Sequence, residues 1–301
     1  MAAIDRTPDP VELEHHFADL EEVRLHYVTA GSGDPLVLLH GWPTTWYEWH
    51  KVIPLLSQSY RVIAPDLRGL GDSSRPSSGY DKRTISEDVW QLLRGELGLE
   101  SWFLVGHDWG AVVAYALTAA HRDAIRRLAI VDMFIPGDGL SLEDHGGARW
   151  HHGFHVEPGL AEQLISGREE IYLRWFYRNY AYRDDVFSDD DVAEFVRNYS
   201  DPESLHAGFE YYRAFTQDIA DNETSRAEGK LKMPVLAVGG AHCMPEGYGV
   251  GEVVALSMRQ MAEDVREVII PECAHWVPEE QPNALAKHLL DFFGEELETE
   301  A

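Results

Sequence analysis

Residues 105–110, VGHDWG, decide how this chain folds. The stretch before them, WFLV at 102–105, is apolar and typical of a buried strand, whereas AVVAYAL at 111–117 is apolar and rich in helix formers. The pattern predicts a strand, a sharp turn and a helix. Gly106 and Gly110 stand two positions on either side of Asp108, where the missing Cβ lets neighbouring backbone pass close by. Asp108 is therefore expected at the top of a strand, at the start of a helix.

An aspartate at such a turn stands where serine hydrolases carry their nucleophile. A carboxylate can displace a leaving group from a saturated carbon and form an ester, which water then cleaves. The N–H of Trp109 is expected to point at the atom under attack, and the helix N-terminus adds positive potential. The alternative is that Asp108 is only a helix N-cap. The two glycines between strand and helix favour the nucleophile.

Strand-like and helix-like segments alternate along the rest of the chain. Short apolar runs that predict buried strands occur at 36–39, 61–64, 128–131, 234–238 and 268–271. This alternation predicts an α/β fold with a mostly parallel, doubly wound sheet. Between 137 and 230 the pattern changes to helical stretches dense in aromatic residues, which predicts an inserted helical cap. The predicted parts are a core from 1–136 and 231–301 and a cap from 137–230.

Composition limits the partners of the protein. The 301 residues include 52 acidic and 25 basic side chains, for a formal net charge of −27, which argues against nucleic acid and anionic membranes as partners. No apolar run is long enough to span a bilayer, and no signal peptide is visible, so a cytoplasmic location is expected. Cys243 and Cys273 lack metal-type spacing; they are expected to be free thiols that could lie close together. No cofactor or metal is predicted.

Hydrolysis of an ester on Asp108 requires a base that activates water, and histidine is the natural base near neutral pH. His275 follows the last predicted strand, so a parallel sheet would bring its loop to the same edge as Asp108. A carboxylate must orient the imidazole. Asp132, at the end of the next predicted strand, is preferred over Glu246, although Asp132 could instead cap a helix of the insertion.

The strand, turn and helix around Asp108 (the elbow), the loop that carries His275 and the inserted cap together resemble the α/β-hydrolase superfamily. HGWP at 40–43 and GHDWG at 106–110 resemble its epoxide hydrolase branch. A closer resemblance, to Cif-like bacterial epoxide hydrolases, is carried by WYEWH at 46–50, WH at 150–151, FEYYRA at 209–214 and HWVPEE at 275–280. The resemblance extends from about Val23 to the end of the chain.

This resemblance implies an α/β-hydrolase fold and a role for each matching residue. Asp108 would attack an epoxide carbon, and the backbone N–H groups of Trp42 and Trp109 would form the oxyanion hole for ester hydrolysis. His275 would be the base and Asp132 its acid partner, because the Cif-like group also carries this acid after the strand that follows the elbow helix.

The resemblance also implies two cap residues that donate hydrogen bonds to the epoxide oxygen. Cif-like enzymes pair a histidine with a tyrosine, and the matching residues are His151 and Tyr212. Tyr211 is the alternative donor, but Tyr212 precedes Arg213 as in the family motif. The alternative for His151 is a merely polar position on a cap helix.

The same motifs separate this chain from two neighbouring branches. Fluoroacetate dehalogenases follow the nucleophile with carboxylate-binding arginines, and these places hold Trp109 and Val112 here. Haloalkane dehalogenases typically carry asparagine at the position of Trp42. The predicted function is therefore hydrolysis of an apolar epoxide to a vicinal diol. The alternatives are a haloalkane dehalogenase-type hydrolase and a non-catalytic ligand-binding protein. A homodimer is expected by analogy alone, and the absence of a visible signal differs from the secreted Cif-like members.

Overall fold

The computed structural model describes residues 11–141, 143–242 and 251–295. Within these ranges eight strands form one sheet: β1 (Glu14–Asp19), β2 (Arg24–Ala30), β3 (Asp34–Leu39), β4 (Tyr60–Pro65), β5 (Trp102–His107), β6 (Ile125–Val131), β7 (Val235–Gly240) and β8 (Val265–Ile270). Their order is β1-β2-β4-β3-β5-β6-β7-β8. β2 is antiparallel to β1 and β4, and all other neighbours are parallel. The predicted mostly parallel sheet is confirmed.

Helices cover the sheet and fill the insertion between β6 and β7. In the described ranges they are α1 (Ile53–Leu56), α2 (Lys82–Trp90), α3 (Trp109–Ala120), α4 (Trp150–Val156), α5 (Leu160–Ile165), α6 (Glu169–Asn179), α7 (Asp189–Tyr199), α8 (Pro202–Arg213), α9 (Phe215–Ala227), α10 (Gly251–Met261), α11 (Val277–Glu280) and α12 (Pro282–Phe293). Every residue of β5 is buried, as a strand covered on both faces should be. None of the described helices is long and apolar enough to cross a bilayer.

Sheet topology brings three of the residues predicted for the site to one edge. Asp108 directly follows β5, Asp132 directly follows β6, and His275 lies in the loop after β8. Because β5, β6, β7 and β8 are neighbours and parallel, their C-terminal ends share one edge of the sheet.

The insertion between β6 and β7 is helical, as predicted. It contains α4 to α9, and its described residues form no strand. α8 is the central helix and packs against α4, α5, α7 and α9. The cap boundaries at 137 and 230 remain predictions, although α9 ends at Ala227 and β7 begins at Val235.

Local differences from the sequence expectations have simple causes. β1 was not predicted, because this edge strand buries only Ala18 and therefore carries little apolar pattern. The sequence pattern predicts a helix from 85 to 97, but α2 begins earlier, at Lys82, because Asp81 caps it by accepting the Thr84 N–H at 2.8 Å. It then changes to a π-helical turn at Gln91–Glu96.

Cys273 is buried, and burial raises the pKa of its thiol. Cys243 and Glu246 lie outside the described residues, so the closeness of the two cysteines remains a prediction.

Candidate active site

Asp108 occupies a strained turn between β5 and α3. Its φ of 50° and ψ of −127° are rare for a residue with a side chain. The flanking glycines make this turn sterically feasible. A Cβ on Gly106 would lie 2.3 Å from the carbonyl oxygen of Gly110, and one on Gly110 would lie 2.3 Å from that of Leu39. The turn therefore requires glycine at both positions.

The Asp108 carboxylate faces a backbone donor from another loop. The N–H of Trp42 donates to Asp108 Oδ1 at 2.9 Å. Asp108 makes no side-chain cap hydrogen bond to α3, so its carboxylate is not the cap of that helix. The amide of Trp109 lies in the first turn of α3, where no intrahelical acceptor exists for it. Of the two amides predicted to form the oxyanion hole, that of Trp42 contacts the Asp108 carboxylate. That of Trp109 belongs to the next residue in the chain.

His275 lies between two carboxylates. Its Nδ1 is 2.8 Å from Asp132 Oδ2, and its Nε2 is 3.6 Å from Asp108 Oδ2. The other oxygen of Asp132 accepts the Gly240 N–H at 3.0 Å. Asp132 is therefore bound to β7, and its two oxygens are not used as the N-cap of a helix in the insertion. A carboxylate on Nδ1 favours the tautomer whose Nε2 lone pair is free to accept a proton.

The two cap residues predicted as donors face the same cavity. The ring centroids of His151 and Tyr212 are 5.6 Å apart. Tyr212 packs edge-on against Trp42 and Trp109, with centroids 5.3 and 5.1 Å away. The alternative donor, Tyr211, faces elsewhere.

Tyr211 donates its hydroxyl to the carbonyl of Arg68 at 2.9 Å and lies outside the cavity. Burial and the nearby Asp108 charge raise the pKa of Tyr212 well above its usual value. The hydrogen bond with the Trp109 side chain lowers this pKa, but by less. Tyr212 is therefore a neutral phenol at physiological pH.

These groups enclose a narrow cavity of about 40 Å³ under the cap. Its walls are mostly aromatic and also carry polar side chains. It is lined by Trp42, Pro43, Asp108, Trp109, Asp132, Met133, Phe134, Arg149, His151, His152, Phe176, Tyr180, Tyr212, His275 and Trp276.

A family model described as alpha/beta hydrolase fold matches residues 34–282 of the chain. The chain belongs to the α/β-hydrolase family. This hydrolase is 42% identical to a soluble epoxide hydrolase of Corynebacterium sp. (strain C12), over 94% of this chain and 98% of that protein. The Cif epoxide hydrolase of Acinetobacter nosocomialis has 30% identity and a TM-score of 0.84, covering 93% of this chain and 88% of that one. A fluoroacetate dehalogenase of Burkholderia is 31% identical over 67% of this chain and 69% of that protein.

His107 of this hydrolase is a site residue that the sequence interpretation missed. It is fully buried, with Nε2 2.9 Å from the carbonyl oxygen of His275 and Nδ1 3.2 Å from Glu48 Oε2. Burial opposes its charged form, but Glu48, followed by Asp108 and Asp132, raises the pKa of His107 to about 9. Since both ring nitrogens face acceptors, His107 is an imidazolium. Its position inside the elbow motif was the available signal, but its partners come from distant segments.

The cap histidines differ from His107 in charge. Burial lowers the pKa of His151 and of His155 well below the usual value, and lowers that of His152 to about 3. All three are neutral near pH 7. His151 and His152 line the cavity, whereas His155 is paired with the hydroxyl of Tyr172 at 2.5 Å. His152 is thus a cavity residue that the sequence interpretation did not single out.

One group in the described part of the chain has metal-type spacing, namely His26, Asp66 and Asp72. Asp66 already accepts N–H groups from Trp46 at 2.8 Å and from Asp72 at 2.9 Å, and His26 lies 2.7 Å away. These bonds give Asp66 a structural role in the loops that follow β4. None of the three residues lines the cavity.

Proposed function

We propose that this hydrolase opens an epoxide to a vicinal diol through a covalent ester on Asp108. The observation that carries the proposal is one cavity with two opposed sets of groups. On the core side lie Asp108 and the His275–Asp132 pair, with Nδ1 and Oδ2 of that pair 2.8 Å apart. On the cap side lie two neutral hydrogen-bond donors, His151 and Tyr212. An epoxide needs a nucleophile at carbon and a donor at oxygen, and this cavity offers both.

In the first step, a carboxylate oxygen of Asp108 bonds to a ring carbon and the bond from that carbon to the epoxide oxygen breaks. The oxygen stays on the substrate and takes a proton from the cap. Tyr212 suits this role because burial and the Asp108 charge keep its phenol protonated. His151 can share the developing charge through a second hydrogen bond.

In the second step, His275 removes a proton from water and the hydroxide adds to the carbonyl carbon of the Asp108 ester. The resulting oxyanion is stabilised by the N–H groups of Trp42 and Trp109. Collapse breaks the bond between the Asp108 carbonyl carbon and the ester oxygen, and this oxygen leaves on the substrate carbon with the proton from His275. The carboxylic acid left on Asp108 then ionises and returns a proton to Tyr212, so the sum is epoxide plus water to diol.

The cavity supports a small, apolar, uncharged epoxide. Phe176, Trp276, Met133 and Phe134 contribute apolar surface to it, and the net charge of −27 opposes anionic ligands. The free volume of about 40 Å³ is far below the several hundred Å³ of usual ligand sites. The cavity in this form therefore favours a small substrate.

Displacement of a halide is the second candidate, because the carboxylate and base would serve it equally and the Burkholderia fluoroacetate dehalogenase is a relative. The cavity favours it less. The Trp109 indole N–H, which could donate a hydrogen bond to a halide, is the hydrogen-bond partner of Tyr212. Val112 stands where fluoroacetate dehalogenases place an arginine.

The test is a paired product assay on the purified protein. Terminal and internal epoxides are scored for diol, and primary alkyl bromides for free bromide, with Asp108→Ala as the inactive control. We expect diol without bromide. Bromide without diol contradicts the epoxide proposal. If neither diol nor bromide forms, the result favours a non-catalytic ligand-binding protein.

Matched tyrosine variants test the cap donor. Tyr212→Phe is expected to lower the rate of ring opening by about 10²-fold or more, the usual contribution of a general acid. Tyr211→Phe removes a hydroxyl from the neighbouring buried tyrosine, which faces Arg68 and not the cavity, and is expected to retain activity. Equal effects of the two variants would contradict the assignment of Tyr212.

A further inference from the structure

Tyr180 contacts both halves of the proposed reaction site. It follows the last residue of α6, lines the cavity and is buried. Its hydroxyl lies 3.2 Å from Nδ1 of His151. Its carbonyl oxygen accepts the N–H of His275 at 3.1 Å. One cap residue thus joins a proposed ring-opening donor to the loop that carries the proposed base.

The hydroxyl contact determines which nitrogen of His151 carries the proton. Neutral imidazole has one N–H and one acceptor nitrogen, and burial keeps His151 neutral. An imidazole nitrogen is more basic than a phenol oxygen, and a phenol is a good donor at a usual pKa of about 10. The favoured arrangement therefore has the Tyr180 O–H donating to Nδ1. The proton of His151 then resides on Nε2, because the bond at one ring nitrogen sets the state of the other.

The backbone contact of Tyr180 is reinforced by a neighbouring carboxylate. The N–H of Tyr182 donates to Glu280 Oε2 at 2.7 Å, while Oε1 accepts the N–H groups of Ala274 and Trp276, both at 3.0 Å. Glu280 therefore binds the backbone on both sides of His275 and also the cap segment next to Tyr180. The position of Tyr180 relative to His275 is fixed by several bonds.

We propose that Tyr180 is a positioning residue that holds His151 in its Nε2-protonated tautomer, with that N–H available to the epoxide oxygen. The role rests on the proposed epoxide hydrolysis. In it, Tyr180 acts through His151 and has no bond to the substrate. Without its hydroxyl, His151 could place its single proton on either nitrogen, and only part of the enzyme would be competent for ring opening.

Tyr180→Phe tests the inference, and Tyr172→Phe is its matched control. Tyr172 is a tyrosine of α6 whose hydroxyl also faces an α4 histidine, His155, but neither residue of that pair lines the cavity. The first measurement is the ¹⁵N spectrum of histidine-labelled protein, with the His151 signals assigned by their loss in His151→Phe. We expect the Nε2-protonated pattern in the wild type and in Tyr172→Phe, and a mixed or Nδ1-protonated pattern in Tyr180→Phe.

The second measurement is single-turnover kinetics with an epoxide. Formation of the ester is expected to slow about tenfold in Tyr180→Phe, the equivalent of about one lost hydrogen bond, whereas hydrolysis of the ester keeps its wild-type rate. Tyr172→Phe is expected to leave both rates unchanged.

The outcomes separate the two proposals. An unchanged His151 tautomer in Tyr180→Phe overturns the inference, as does an equal slowing of both chemical steps, which would indicate a general structural defect. If the wild type forms no diol, the proposed function fails, while the ¹⁵N spectra still decide the tautomer.

Discussion

At the scale of single residues, the charged side chains next to Asp108 offset one another. His107 lies between the Glu48 carboxylate and the carbonyl of His275, and it directly precedes Asp108. Removing a charge from water is costly unless a partner of opposite sign is present. Here the imidazolium offsets Glu48 and adds a favourable field at Asp108 and Asp132, which raise its pKa in return. His107 therefore stabilises the charges of two carboxylates of the site without lining the cavity.

The charge of His107 predicts a pH-dependent stability. Its pKa is raised from 6.5 to about 9 in the folded protein, so its contribution is complete below pH 6.5 and is lost as the pH rises through about 9. We expect the stability advantage of the wild type over His107→Gln to be larger at the acidic end of this window than at the alkaline end, by about 3 kcal/mol. The difference should shrink toward the alkaline end. Urea unfolding across this pH window measures it, and a difference that does not vary with pH would contradict the imidazolium.

Sequence was informative for residues that carry their own local pattern. Asp108 could be predicted because its two glycines are adjacent in the chain, and His275 because it follows a strand. His107 and Tyr180 could not, since their roles depend on Glu48 and His151, which are distant in sequence. A histidine inside a motif and a tyrosine among many cap aromatics carry no signal of such partners.

At the scale of elements, the N-terminus of α2 connects the core to the cap. The Lys82 ammonium is buried 2.8 Å from Asp218 of α9, and it also donates to the carbonyl of Tyr211 in α8. It lies 4.0 Å from the ring centroid of Trp109. The backbone N–H of Lys82 donates to the same Asp218 at 2.8 Å. This junction fixes the helix that carries Tyr212 above the elbow.

Removal of one partner from this buried pair should be strongly destabilising. Lys82→Met is expected to lower the unfolding free energy by about 3–5 kcal/mol, because it leaves Asp218 buried without its cation. The double variant Lys82→Met/Asp218→Leu should recover most of the loss. Lys287→Met, which breaks the exposed pair with Asp291 in α12, should change stability by less than about 1 kcal/mol. A double variant as unstable as Lys82→Met would contradict this account.

The elements themselves were predictable where periodicity was strong. The central parallel strands β3 and β5 contain continuous apolar runs, and the elbow helix α3 is apolar on all sides. The edge strand β8 is less regular, because Arg266 and Glu267 interrupt its apolar pattern. The insertion was predicted to be helical, but the packing of α8 among four other helices has no local sequence signature. The edge strand β1 was missed because its exposed face removes the apolar pattern.

At the scale of the whole molecule, the excess of acidic residues creates a field that every ligand meets. The formal charge of −27 repels anions approaching the cavity and leaves neutral molecules unaffected. Salt screens this field over about 10 Å at 0.1 M ionic strength. The overall fold could be predicted from the alternation of strands and helices, but the preference among substrates could not, because it depends on the closed shape of the cavity and on this summed field.

Ionic strength should therefore distinguish charged from neutral epoxides. For an epoxide carrying a remote carboxylate, kcat/KM is expected to rise by about tenfold between low and high salt, within the range known for electrostatic steering. For its neutral amide analogue, kcat/KM should stay nearly constant. Steady-state assays over a salt series measure both. A fall in kcat/KM of the anionic epoxide with added salt would indicate that a local cation such as Arg149, which lines the cavity, outweighs the net charge.

The central claim is the covalent ester on Asp108, and intact-protein mass spectrometry of His275→Gln with an epoxide tests it most directly. Without the base, the ester should form and persist. We predict added mass equal to one substrate molecule, located on the peptide that contains Asp108 and absent from the double variant Asp108→Asn/His275→Gln. No added mass with an epoxide that the wild type converts to diol, or mass on a different peptide, would contradict the account.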